Sequence, residues 1–134
     1  MNLEEALTAY LLSRSALTAL IGRRLFYDEL PQGTEHPAVV CQAIDNIPIN
    51  THDGRSTFES PNYQWTVYAV SRASARTVAE QLKAALCDYS GTMSGLTIQY
   101  IRLINDIAST EKSADGTVRL ATVDLEFEIN YNRE

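Results

Sequence analysis

The stretch Val123-Asp124-Leu125-Glu126-Phe127-Glu128-Ile129-Asn130-Tyr131 alternates without a break between apolar and polar side chains. Successive side chains of a strand point to opposite faces, so this period of two places one face on a core and the other in water. Val123, Leu125, Phe127, Ile129 and Tyr131 form the core stripe; Asp124, Glu126, Glu128 and Asn130 form the wet one. Just upstream, Val118 and Leu120 sit in the opposite phase, which requires a bulge or a change of surroundings before Val123.

A strand of this kind needs a neighbour. Leu96 to Ile107 reads as the antiparallel partner of Thr117 to Tyr131, joined through Ala108 to Gly116 with Asp115-Gly116 as the turn signal. The expected hairpin therefore covers residues 96–131. Roughly fifteen extended residues reach about 50 Å, whereas a domain of this size measures only about 36 Å across. Either the strands bend around a bulge, or the tip projects and buries itself against another subunit.

The core stripe also needs a cover. Ala75, Val78, Ala79, Leu82, Ala85, Leu86 and Tyr89 recur at helical spacing, with Ser74 as the expected N-cap. This helix, about 74 to 89, is expected on the face lined by Val123, Leu125, Phe127 and Ile129, because each buries the other's apolar side. Gly91 and Gly95 bracket its exit. Towards the N-terminus, Asn62 to Val70 alternates as a strand, and Pro37 opens another through Ala38 to Ile44. Arg24 to Glu29 reads as a first strand. Leu3, Ala6, Leu7, Tyr10 and Leu11 mark an N-terminal helix, followed by a shorter helical piece from Ala16 that Gly22 stops. Between strands, Asp45 to Pro61 is expected to be a long mobile loop. The fold class is α+β: a mainly antiparallel sheet with a long C-terminal β-hairpin and two to three helices packed on one face. One domain spans residues 1–134.

Composition narrows the function. The chain has 134 residues, 45% hydrophobic and 21% charged, which suits one globular core. No apolar run approaches the ~20 residues of a membrane span. Met1-Asn2-Leu3-Glu4-Glu5 lacks the basic start of a signal peptide, so synthesis in the cytoplasm is expected. The net charge of −6 and the dispersed arginines argue against sequence-specific nucleic-acid binding, whose affinity comes mostly from neutralised phosphates.

Chemistry-bearing patterns are sparse. Cys41, Cys87, His36 and His52 lie far apart and do not form a zinc spacing. Ser56 and Ser60 near His52 lack a nucleophile elbow. Gly91-Thr92-Met93-Ser94-Gly95 lacks the lysine of a phosphate loop. Tyr63, Trp65 and Tyr68 lack a basic groove and read as packing rather than base stacking. No catalytic residue, cofactor or metal site is expected. Asp124, Glu126 and Glu128 form an acidic face: chiefly a solvated sheet surface, with an electrostatic surface as the functional alternative. Neighbours on one strand face stand about 7 Å apart, too far for direct chelation. Two polar segments carry residues that a monomer core does not need: Asp53, Gly54 and Arg55 in the long loop, and Glu111, Lys112, Asp115 and Gly116 near the hairpin tip. These are the expected oligomer or partner contacts.

Several motifs in order carry a resemblance. Leu17-Thr18-Ala19-Leu20-Ile21-Gly22-Arg23-Arg24-Leu25-Phe26 is a short helix, a glycine and a strand. Leu30-Pro31-Gln32-Gly33 and His36-Pro37-Ala38-Val39-Val40 follow, and Asp124-Leu125-Glu126-Phe127-Glu128-Ile129-Asn130-Tyr131 closes the chain. In this order they resemble the tail-completion, or tail-terminator, family of siphophages over nearly the whole length. The resemblance implies an α+β fold assembling as a hexameric ring at the head-proximal end of the virion tail. It also implies two partners, the major tail-tube protein and a head-completion or connector protein, with DNA at most passing through the ring. No catalytic residue is implied. Alternatives are a small-molecule-binding or enzymatic α+β domain, or another minor tail or baseplate component.

Overall fold

The computed structural model describes residues 3–28, 37–45, 50–51, 54–55, 58–59, 61–87, 89–93, 95–112 and 119–132. The elements run α1 (Leu3–Leu12), α2 (Ser15–Ile21), β1 (Leu25–Tyr27), β2 (Ala38–Asp45), β3 (Asn50–Thr51), β4 (Gly54–Arg55), β5 (Phe58–Glu59) and β6 (Asn62–Ala69). Then follow α3 (Arg72–Leu86), β7 (Gly91–Met93), β8 (Leu96–Lys112) and β9 (Arg119–Asn132). The main sheet has the order β1-β2-β6-β9-β8-β7, with β5 also pairing β9, and every ladder is antiparallel except β1 with β2. The class is α+β.

β9 lies inside the sheet, between β6 and β8. Its odd-numbered residues Val123, Leu125, Phe127 and Ile129 are fully buried, as the alternation requires. Opposite them, α3 buries Ala75, Val78, Ala79, Leu82, Ala85 and Leu86. Trp65 of β6 meets Phe127 edge-on, ring centroids 5.7 Å apart, an arrangement that the ring quadrupoles favour. Leu3, Ala6, Leu7 and Leu11 of α1 and Leu17 and Ile21 of α2 enter the same core. The Tyr10 hydroxyl donates to the Ala85 carbonyl at 2.7 Å and ties α1 to α3. Gly22 ends α2 with φ +61°, and its N–H bonds the Thr18 carbonyl at 2.8 Å. A side chain at that φ would be strained.

Three boundaries differ from the sequence reading. α3 starts earlier: Ser71 is the N-cap, and the backbone N–H of Ser74 donates to Ser71 Oγ at 3.1 Å. Ser74 receives the cap rather than supplying it. The helix also stops at Leu86, and Gly91–Met93 forms the short strand β7 against the start of β8. Finally, the hairpin ladder runs on to the pair Lys112↔Arg119, so Ala108 to Lys112 is strand rather than connection. The length is accommodated in two ways. Two register shifts, between Ile98 and Tyr100 and between Leu103 and Asn105, put the irregularity on β8. In addition, the β6 ladder ends at Ala69↔Ala121, so the last pairs of the hairpin extend past β6. Between Arg119 and Glu126 the ladder is in even register. There Thr122 and Val123, on opposite faces, are both buried, a change of surroundings rather than a bulge on β9. Within Asp45 to Pro61, β3 pairs β4, and β5 joins the main sheet through Phe58↔Asn132 and Glu59↔Tyr131.

Candidate functional site

The helices pack on one face of the sheet, and the polar positions of β9 point to the other. Asp124, Glu126 and Glu128 are half-buried on it, flanked by Thr122 and Asn130, both buried. The register sets their neighbours: Thr66, Gln64 and Asn62 of β6 stand opposite Asp124, Glu126 and Glu128, while Ile107, Asn105 and Arg102 of β8 stand on the other side. Glu128 accepts from Arg102 Nη2 at 3.2 Å and from Asn130 Nδ2 at 3.1 Å. The Asn130 hydrogen bond, with help from the Arg102 charge, holds its carboxyl below the usual carboxylate range. Glu126 accepts from Asn105 Nδ2 at 3.3 Å. Asp124 has no ion-pair partner among the described residues. Three carboxylates against one guanidinium leave this face net acidic. Its other groups include hydroxyls and amides, Ser109 and Thr122 bonded at 2.7 Å among them, and the exposed apolar side chains of Ile107 and Tyr100.

This surface attracts cations and repels polyanions, and does little else chemically. Among the described residues no three His, Cys, Asp or Glu side chains converge on a metal. Cys41 is buried, and desolvation pushes its thiol well above the usual range, which leaves it a poor nucleophile. His36 and His52 lie outside the described residues. Among those described, no helix is long and apolar enough to cross a membrane.

The structure separates the predicted contact residues. Gly54 and Arg55 are in β4, in the small β3-β4 ladder. Glu111 and Lys112 close the long hairpin, opposite Leu120 and Arg119. Asp53, Asp115 and Gly116 lie outside the described residues. Along β9, Asp124 stands four residues from Leu120 and Glu128 eight.

Sequence reasoning missed two surface features. One is a run of exposed apolar side chains on β8, Tyr100 (45% exposed), Ile104 (37%) and Ile107 (54%). The other is an open groove of about 680 Å³ beside α1. The apolar residues of β8 were visible in sequence, but only the bulges decide which of them face outward.

The family model described as Tail completion protein gp17 matches residues 5–131. The chain belongs to this tail-completion family. Members of the family are structural proteins of the phage tail, and this chain is a virion-associated protein of that class. No curated protein sequence matches the chain. Among solved structures, a chain from the virion of a native gene transfer agent (GTA) particle superposes with a TM-score of 0.77 at 20% identity, covering 97% of this chain and 94% of that one. At that identity the likeness shows a shared fold. A second solved chain gives a TM-score of 0.48 at 15% identity, with 94% of both chains covered. In this chain the net acidic face lies on the side of the sheet opposite the helices.

Proposed function

We propose that this protein completes the tail at its head-proximal end by forming a ring of six copies, which contacts the major tail-tube protein on one side and a head-completion protein on the other. The family match across residues 5–131 carries this reading. The acidic face supports it: a channel that DNA must traverse works best with a wall that repels phosphates rather than binding them. Asp124, Glu126 and Glu128 then line the channel or a subunit boundary. Gly54, Arg55, Glu111 and Lys112, together with Asp53, Asp115 and Gly116, are the proposed contacts with neighbouring copies and partners. The protein acts as a structural part with no reaction of its own.

The test is assembly. Native mass measurement across protein concentrations should show a species of six chains, and particles made without the protein should accumulate as separate heads and tails under the electron microscope. Joined particles in its absence would refute the role. A protein that remains monomeric at every concentration and in the virion would refute the ring.

A further inference from the structure

We draw no further inference here: the strongest candidate, the exposed apolar run of Tyr100, Ile104 and Ile107 along β8, carries none because nothing in the structure shows what covers it.

Discussion

Phe127 shows how far a single residue could be read from sequence alone. Its place in an unbroken alternation put it on the core face of a strand, and it is fully buried there, against Trp65 on the neighbouring strand. Truncating a buried aromatic loses its transfer free energy and leaves a cavity that close-packed surroundings fill only in part. Phe127→Ala should therefore cost about 3–5 kcal/mol, measured as a lower denaturation midpoint with an unchanged slope. An unaltered midpoint would mean that the residue does not sit in the core. The caps were harder to read. Ser71 and Ser74 are both good capping residues, and the apolar stripe beginning at Ala75 favoured the later one. The helix takes an extra turn of exposed residues, Arg72 and Ala73 among them, that the stripe could not signal.

At the scale of elements, the pairing of β8 with β9 followed from alternation, while the strand order and the irregularities did not. The two bulges of β8, a strand of 17 residues, have no local signature in the sequence. The clamp joining the two elements was equally hidden. Arg76 Nη1 bonds both carboxylate oxygens of Asp106 at 2.9 and 3.0 Å, and Lys83 Nζ reaches Oδ2 at 2.5 Å. Thirty residues separate Arg76 from Asp106, so only the fold makes them neighbours. Burial acts to raise the Asp106 pKa, but its hydrogen bonds to Lys83 and Arg76 outweigh it and the net shift is downward. The hydrogen bond that Lys83 donates to Asp106 is the main cause of the upward shift of Lys83. The signs give a window. A lowered carboxyl contributes stability above its unfolded value near 3.8, and that stability is lost as pH falls through the folded pKa. A raised amine contributes below 10.5, and its share is lost as pH rises through the folded pKa. Asp106→Asn should lower stability by about 1 kcal/mol at neutral pH, and the difference from wild type should shrink as pH falls below 3.8 and vanish once the folded-state carboxyl is protonated. A pH-independent difference between the two melting curves would show that the side chain matters through packing alone.

For the whole molecule, the order of motifs pointed to the family, yet no motif disclosed which surfaces meet. The acidic face was legible because alternation alone places Asp124, Glu126 and Glu128 on one side; the exposed apolar residues of β8 and the groove beside α1 required the assembled structure. In the proposed ring the face opposite the helices turns to the ring axis, to a neighbouring copy or to the outer rim, and charge decides among them. DNA moving through a narrow channel is held back by every cation on the wall and loosened by every anion, over a range of about 8–10 Å in physiological salt. We therefore expect Asp124→Asn/Glu126→Gln/Glu128→Gln to leave ring formation intact, because the three side chains are half-exposed and the one ion pair they make among the described residues, Glu128 with Arg102, is worth at most about 1 kcal/mol. The same protein in particles should slow DNA release, and the slowing should shrink as salt screens the wall. Neutral Asn and Gln keep the size and most hydrogen-bonding capacity of the originals, so a slower release reports charge rather than shape. Loss of the ring in this variant would instead put the carboxylates at a subunit boundary. Unchanged release at low salt would put them on the rim, where passing DNA never feels them.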